Sequence, residues 1–299
     1  MQLAEILRVL DPRPGGVFVD ATVGWAGHAA AILPLLGPTG MLVGFDLDAE
    51  NLVKARERLD ALDLPYRLEH GNFAGVQAAL AAAGITAIDG LIADLGFSSM
   101  QVDDPGRGFS YRREGPLDMR LDRSRGRTAA QILQTIDEHD FARHLRELAD
   151  EPFAEKIARA IAASRDAPPT TTTELATFIQ AATGQTDWKL HPKDGVWKIH
   201  PAARTFQALR ILVNRELANL ENLLRVLPAI LKPAGVAAVL SFHSGEDRIV
   251  KAAFRDGLHR GDYSEVSDDP VRATGPERFS NPRSRSAKLR WARRADHDR

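Results

Sequence analysis

The feature of this chain that most restricts its fold is a β-branched run that ends in an acid and opens into a small-residue turn. The run and turn read Val17-Phe-Val-Asp-Ala-Thr-Val-Gly-Trp-Ala-Gly-His28, and an alanine-rich helical pattern follows. Glycine in such a turn lets a ligand approach the backbone closely, and the helix beyond it offers free N–H groups. The segment indicates an α/β protein that binds a nucleotide-type cofactor, although an ordinary strand–turn–helix junction would share the pattern.

The order of acids and glycines restricts which cofactor this segment can bind. A second run, Gly44-Phe-Asp-Leu-Asp48, places Asp46 22 residues after Gly24, where a carboxylate can accept the hydroxyls of a ribose. A nicotinamide-binding domain would read G-x-G-x-x-G with no acid before the turn. Here Asp20 precedes the turn and the glycine pattern is incomplete. The arrangement is similar to S-adenosylmethionine (SAM) binding, because that cofactor carries an α-amino group and a sulfonium but no phosphate.

Strand and helix patterns alternate along most of the chain. Strand-like runs at 17–20, 41–46, 66–70 and 88–94 alternate with helical patterns at about 27–36, 49–62 and 74–83, which predicts a parallel sheet. After residue 94 the rhythm breaks into an arginine-rich loop (95–127) and several helical segments. It resumes with a helix at about 202–227, a strand at 235–241 and a helix at about 246–256. The alternation of Ala287, Leu289 and Trp291 with basic residues predicts a last, half-exposed strand.

Composition excludes several classes of protein. No apolar run approaches the ~20 residues of a membrane span, and the start Met1-Gln-Leu-Ala-Glu-Ile-Leu lacks the features of a signal peptide. With no cysteine there is no disulfide or thiolate metal site. The nine histidines show no H-E-x-x-H spacing, so we expect no dedicated metal site. We therefore expect a cytoplasmic enzyme without a membrane partner, and the sequence leaves its oligomeric state, including a homodimer, open.

Basic residues are concentrated in two segments of a chain whose net charge is −1. Residues 107–127 hold seven arginines against three acids, and residues 272–299 hold nine lysines or arginines against three acids. Local basic excess in a nearly neutral chain favours a site for a polyanion, although solvated loops would also fit.

A polar turn after the fourth strand carries the candidate catalytic residues. Asp94 is followed closely by Phe97 and Ser98. An exocyclic amine on a base is a poor nucleophile, and an acceptor on its N–H can localise the lone pair while an aromatic side chain holds the ring. We predict these three residues as catalytic, although by spacing Asp94 is equally placed to contact the cofactor.

Several long motifs resemble one enzyme family. The motifs are Asp94-Leu-Gly-Phe-Ser-Ser-Met-Gln-Val-Asp-Asp104, Arg107-Gly-Phe-Ser110, Gly115-Pro-Leu-Asp-Met-Arg120, His200-Pro-Ala-Ala-Arg-Thr-Phe-Gln-Ala-Leu-Arg-Ile211, Ser241-Phe-His-Ser-Gly-Glu-Asp-Arg-Ile-Val-Lys251 and Asn281-Pro-Arg-Ser-Arg-Ser-Ala-Lys-Leu-Arg290. Together they resemble the small-subunit (16S) ribosomal RNA cytosine-N4 methyltransferases, the RsmH or MraW family. The resemblance spans nearly the whole chain.

This resemblance implies SAM-dependent methylation of the N4 amine of one cytidine near the ribosomal P site. It implies a Rossmann-like methyltransferase sheet (1–108 and 206–299) with an inserted α-helical, RNA-recognising domain (109–205). The expected partner is small-subunit ribosomal RNA, within an assembled or assembling subunit. From motif and resemblance together, the expected cofactor residues are Asp20, Gly24, Ala26, Gly27, His28, Asp46, Phe73, Asp94 and Gln101. The candidate RNA-binding residues are Arg112, Arg113, Arg120, Arg123, Arg204, Arg210 and His243.

The chain departs from the family's usual pattern in places. Ala26 stands where glycine is usual, and Trp25 where a small or basic residue is common. The loop at 185–198 is longer than is typical, and the His-x-Pro-Val segment that normally precedes the first helix is absent. Two other classes stay open: a nicotinamide-dependent oxidoreductase, and an RNA-binding assembly factor with a silent methyltransferase fold.

Overall fold

The computed structural model describes residues 1–185, 189–190 and 198–296, which divide into two compact units. The sheet unit consists of Met1–Gly96 and Leu217–Arg299, and the helical unit is Phe97–Glu216. Most of the predicted long loop at 185–198 lies outside the described residues. In the part of the chain that is described, every helix is too short or too polar to cross a membrane.

The first part of the sheet unit alternates helices and strands as predicted. Its elements are α1 (Leu3–Leu10), β1 (Val17–Asp20), α2 (Ala29–Leu36), β2 (Met41–Asp46), α3 (Ala49–Asp60), β3 (Tyr66–His70), α4 (Val76–Ala82) and β4 (Ile88–Asp94). β1 begins with a run of β-branched and aromatic residues, Val-Phe-Val, which favours extended backbone. Asp48 starts α3 because its carboxylate accepts the backbone N–H of Glu50 over 3.1 Å. The bounds of these four strands agree with the prediction.

The helical unit is built from short amphipathic helices around its own core. Its elements are α5 (Ser99–Asp103), α6 (Ala129–Thr135), α7 (Glu138–Ala149), α8 (Ala154–Ala163), α9 (Thr172–Thr183), a pair of two-residue strands β5 (Lys189–Leu190) and β6 (Lys198–Ile199), and α10 (Ala203–Asn214). Phe141, Leu145 and Ile157 are buried in this core. Thr171 and Glu174 form the capping box that their spacing predicts.

The chain then completes the sheet unit. The elements are α11 (Glu216–Ile230), β7 (Leu231–Ser241), α12 (Ser244–Arg260), β8 (Tyr263–Val266), β9 (Val271–Arg272), α13 (Gly275–Ser280) and β10 (Lys288–Arg294). The single helix predicted over 202–227 is wrong. Arg215 has a left-handed backbone, φ 53°, which ends α10 and separates it from α11.

The strands form one sheet in the order β3-β2-β1-β4-β7-β10-β8, with β9 paired to β10. The first five are parallel, and β10 runs antiparallel to both neighbours. Because β1 lies between β2 and β4, successive connections leave it in opposite directions. A crevice opens outside the carboxyl ends of strands at such a switch point, and ligands of open α/β sheets bind there.

The predicted last strand is confirmed as β10, but the prediction that it is half-exposed is wrong. β10 lies inside the sheet between β7 and β8, and its residues Leu289 and Ala292 are fully buried. Arg290 is only 4% exposed, and its Nε donates to Asp247 Oδ1 over 2.7 Å. The alternation of apolar and basic residues predicts that the Arg290 side chain faces solvent. In the structure the side chain is buried, and its ion pair with Asp247 compensates for the loss of water.

Both predicted domain boundaries, after residue 108 and before residue 206, fall inside the helical unit. Phe97, assigned by sequence to the sheet domain, stacks its ring on Phe109 with centroids 5.4 Å apart. At the other boundary, α10 packs on α7 and so belongs to the helical unit. The sheet unit consists of two chain segments, one on each side of the helical unit in the sequence.

Candidate active site

Three acids end three neighbouring strands of the sheet unit. Asp20 is the last residue of β1, Asp46 of β2 and Asp94 of β4. The register pairs Asp20 with Gly44 on one side and with Ile92 on the other. Since these strands are parallel, the three carboxyl groups meet at the carboxyl edge of the sheet, at the switch point beside β1.

Asp20 is the most buried of these acids. Only 1% of it is exposed; Oδ1 accepts the backbone N–H of Thr22 over 3.1 Å, and Oδ2 has no partner among the described residues. Burial raises the pKa of Asp20 to about 6, and His28 nearby partly offsets this. Asp94 and Asp46 add to the increase by repulsion. A buried carboxylate oxygen without a partner, among other acids, is an arrangement that a cation would stabilise.

The turn after β1 is tight. Gly24 and Ala26 have left-handed backbones, φ 52° and 58°, and the backbone N–H of Gly24 donates to Asp46 Oδ2 over 2.8 Å. The left-handed region costs a residue with a Cβ roughly 1–2 kcal/mol, so Ala26 holds a strained position that suits glycine. A Cβ built on Gly27 would meet nothing within 4 Å, so the space beside this turn is open.

Asp46 is held by three donors. Besides Gly24, it accepts the backbone N–H of Asp48 over 2.8 Å and the side-chain amide of Asn51 over 3.2 Å. Asn51 in turn accepts the indole N–H of Trp25 over 3.1 Å. Burial raises the pKa of Asp46. A carboxylate has about four acceptor positions. To accept both hydroxyls of a ribose, as predicted, Asp46 would therefore have to release one of its present donors.

Asp94 lies beside His28. Their Oδ2 and Nε2 atoms are 3.2 Å apart, and His28 Nδ1 is buried without a hydrogen-bond partner among the described residues. The backbone N–H of Asp94 donates to Thr22 Oγ1 over 2.7 Å. The Asp94 side chain is 22% exposed, so it can still reach a ligand. The structure thus places His28, a predicted cofactor residue, within hydrogen-bond distance of the predicted catalytic acid, a contact that the sequence does not reveal.

Phe73 follows β3 at the same edge. The backbone N–H of Gly71 donates to the carbonyl of Asp46 over 2.9 Å, which brings this turn next to the end of β2. Phe73 is half-buried and packs against the core of the sheet unit, so only part of its ring is available to a ligand.

Three predicted residues lie in the helical unit. Ser98 and Gln101 form a capping box at the start of α5: Gln101 N–H donates to Ser98 Oγ over 3.2 Å, and Ser98 N–H to Gln101 Oε1 over 2.9 Å. Phe97 stacks on Phe109, and the Arg210 guanidinium lies 4.4 Å from its ring centroid. Ser98 and Phe97 therefore have structural contacts that their predicted catalytic roles did not include.

The candidate RNA-binding residues separate into two groups. Arg112, Arg113 and Arg123 are exposed. Arg113 also donates to the carbonyl of Asp103 over 2.6 Å. The other candidates are less exposed and are held within their own unit: Arg210 forms two 2.9 Å bonds to Glu216, Arg120 pairs with Asp118, Arg204 donates to the Asp150 carbonyl, and His243 caps α12 by accepting the Glu246 N–H. The Arg210 side chain is only 12% exposed, so its bonds to Glu216 contribute to the stability of the helical unit.

The carboxylates at the carboxyl edge of the sheet fit the positively charged groups of SAM. The cluster of Asp20, Asp46 and Asp94 offers negative charge, and Asp20 Oδ2 is an acceptor that no described residue satisfies. A cofactor with an ammonium and a sulfonium would stabilise these ionised acids, whereas the pyrophosphate of a nicotinamide dinucleotide would be repelled by them. The fold and this site define an α/β protein that binds a cationic nucleoside, the class of the SAM-dependent methyltransferases.

The chain belongs to the MraW methylase family, whose family model matches residues 1–295. This membership confirms the predicted family, the methyltransferase fold class and SAM as cofactor. The chain is similar to "Ribosomal RNA small subunit methyltransferase H" of Citrifermentans bemidjiense, with 44% identity over 302 residues that cover 96% of this chain and 95% of that protein. The same name belongs to a protein of Acidobacterium capsulatum, 44% identical over 296 residues, 97% of this chain and 96% of that one. A putative rRNA methylase structure from Clostridium thermocellum is 11% identical over 98% of this chain and 95% of that chain, with a TM-score of 0.47, a likeness too low to carry an argument.

Proposed function

We propose that this protein methylates small-subunit ribosomal RNA, at the exocyclic N4 amine of one cytidine near the P site. The observation that carries the proposal is the acidic strand-end cluster, with the unpaired Asp20 Oδ2, in a chain whose relatives are named ribosomal RNA small subunit methyltransferases. The choice of cytidine and of its N4 amine rests on the motif resemblance. The proposed place of action is the cytoplasm, on an assembled or assembling subunit.

The residues of the sheet unit divide the work of binding the cofactor. Asp20 and Asp94 lie where positive charge is favoured, and Asp46 lies beside the Gly24 turn, where it would bind ribose hydroxyl. Gly24, Ala26 and Gly27 form the open turn, and Phe73 offers the exposed part of its ring. Gln101 remains a proposed cofactor residue on the motif resemblance alone. When bound, the cofactor supplies an electrophilic methyl group on a sulfonium.

The chemistry requires alignment and one proton acceptor. With SAM bound, transfer would break the C–S bond of its methyl group and form an N–C bond to the N4 amine, which would lose one proton, so the site would have to align the amine with the methyl group. Asp94 is the proposed acceptor of that proton, directly or through water, and His28 orients its carboxylate. Phe97 and Ser98 are proposed to lie close to the base. A stacked base must first leave its helix, which costs a few kcal/mol.

Two measurements test this function. The melting temperature of the purified protein is compared with SAM and with NAD: SAM should raise it and NAD should not. A labelled methyl group is then supplied with small subunits, with naked small-subunit RNA and with large subunits. Digested RNA is separated against N4-methylcytidine and 5-methylcytidine standards. Label in N4-methylcytidine from the small subunit supports the proposal, and label in another nucleoside or only in large subunits contradicts it.

A further inference from the structure

We propose that residues 273–287, here called the basic loop, form a second RNA-binding site on the sheet unit that stacks a single-stranded nucleotide of the substrate. This inference rests on the proposed function, since it takes the substrate to be RNA. None of the residues predicted to bind RNA lies in this loop. It combines one highly exposed aromatic side chain with three exposed arginines.

The sheet register places the basic loop at the edge that carries the acids. β9 and β10 pair Arg272 with Lys288, which closes the base of the loop, and Lys288 also pairs with Ser241, the last residue of β7. Leu240 pairs with Asp94 on one side and Leu289 on the other, so these three form one row across the sheet. With about 4.8 Å between strands, that row puts the base of the loop roughly 10 Å from the end of β4.

The loop is ordered by contacts that leave its functional side chains exposed. Glu277 Oε1 accepts the backbone N–H of Gln2 over 2.7 Å, and the N–H of Asn281 donates to the carbonyl of Glu277 over 2.7 Å. Ser284, 1% exposed, donates its hydroxyl to the carbonyl of Asn281 over 2.7 Å. The backbone is thereby fixed before any partner binds, which reduces the entropy lost on binding.

Phe279 on α13 is 88% exposed, the largest exposed fraction among the large hydrophobic side chains described. Arg278, Arg283 and Arg285 are exposed as well, and residues 278–286 contain no acid. An aromatic face for stacking beside arginines for phosphates is the combination that binds single-stranded nucleic acid. Charge and aromatic exposure together favour RNA over an uncharged protein surface.

The test uses the full-length protein with a short cytidine-containing single-stranded RNA, titrated at several salt concentrations. Phe279→Ala should weaken binding about tenfold, whereas Phe279→Trp should retain it. Arg278→Gln, Arg283→Gln and Arg285→Gln together should lower the salt slope by about 2, at about 0.7 per phosphate contact. The matched control removes three exposed cations of α12, Arg248→Gln, Lys251→Gln and Arg255→Gln, and should leave Phe279-dependent binding intact.

Several outcomes would overturn the proposal. RNA affinity and salt slope unchanged in both loop variants would do so, as would equal losses in the α12 control. Loss of binding to anionic lipid vesicles, with RNA binding unchanged, would assign the loop to a membrane surface instead. SAM affinity and melting temperature serve as checks of folding, since the replaced side chains are exposed. If the wild-type protein neither binds nor methylates RNA, the proposed function fails; if it does both and the variants match it, only this inference fails.

Discussion

The indole Nε1 of Trp25 donates a hydrogen bond to Asn51 Oδ1 over 3.1 Å, and the side-chain amide of Asn51 donates in turn to the carboxylate of Asp46. Trp25 is 41% exposed, so its position depends on this hydrogen bond more than on burial of the ring. Asn51 is 5% exposed, and its amide orientation is set from both sides. We therefore predict that Trp25 helps to position Asp46 through Asn51.

Trp25→Phe should weaken SAM binding, because the ring is kept while the donor to Asn51 is lost. One neutral hydrogen bond is worth about 0.5–1.5 kcal/mol, which corresponds to roughly two- to tenfold in dissociation constant. Calorimetric titration of SAM measures the change. Val53→Ala, at an exposed position of α3, is the control. Identical dissociation constants for wild type and Trp25→Phe would rule out the positioning role.

Asp20→Asn should make the cofactor-free protein more stable at pH 8 and weaken its binding of SAM. The pKa of Asp20 is about 6 in the folded protein against an ordinary 3.8, so the ionised form disfavours folding. At a pH well below 3.8 the carboxyl is neutral in both states and this destabilisation is absent. It grows as the pH rises through 6, to roughly 3 kcal/mol. Denaturant unfolding from pH 4 to 8 should therefore show wild type losing stability relative to the variant.

The pH dependence has its own control and its own contrary result. Asp256→Asn removes an exposed acid of α12 and should follow the wild-type curve. SAM binding should release protons near pH 6, because a bound cation favours ionised Asp20. Parallel stability curves for wild type and Asp20→Asn, with no proton release, would show that Asp20 does not titrate in this range.

Asp94→Asn should lower the rate of methyl transfer far more than the affinity for SAM or RNA. An amide cannot accept the proton of the amine, and loss of a general base costs about 10²- to 10⁴-fold. Single-turnover methylation at saturating SAM and RNA isolates this step from binding. Ser98→Ala is the comparison: its hydroxyl caps α5, and its loss should cost less than about tenfold. A wild-type single-turnover rate in Asp94→Asn would leave Asp94 as a cofactor contact at most.

The exposed arginines of the helical unit should contact RNA phosphates. Replacing Arg112, Arg113 and Arg123 together with glutamine should reduce the salt slope of single-strand binding by about 2. Arg210→Gln should act differently. It leaves Glu216 without its bidentate partner and should destabilise the protein by roughly 3 kcal/mol, with the salt slope unchanged. An unaltered slope in the triple variant would assign the 107–127 loop a structural role only.

The sequence predicted the sheet well because strand-forming runs and their terminal acids are local signals. β1, β2, β3 and β4 have the predicted bounds, and Asp20, Asp46 and Asp94 meet at one edge because parallel strands end together. The helix break at Arg215 could not be predicted, because the left-handed backbone of a single arginine does not change the spacing of the apolar residues. The family, fold class and cofactor were predicted correctly from motifs; the roles of individual site residues stay predictions.

Contacts between side chains far apart in the sequence could not be predicted. The approach of His28 to Asp94 joins residues 66 positions apart, and the link from Trp25 to Asn51 joins residues 26 apart. Neither spacing is periodic in a helix or strand. Arginine counts also could not separate Arg123, which is exposed, from Arg210, which an acid and an aromatic ring hold. That distinction depends on the fold.

The position of β10 has a consequence for how the chain acquires its structure during synthesis. β10 lies between β7 and β8, and in the described part of the chain β8 pairs with β10 alone. The sheet unit is also interrupted by the whole helical unit, which has its own core. A nascent chain can therefore assemble the helices early, while the sheet stays open at one side until its last residues emerge. Truncation by a few residues within β10 should thus remove an interior strand, and affect solubility more than loss of an edge strand would.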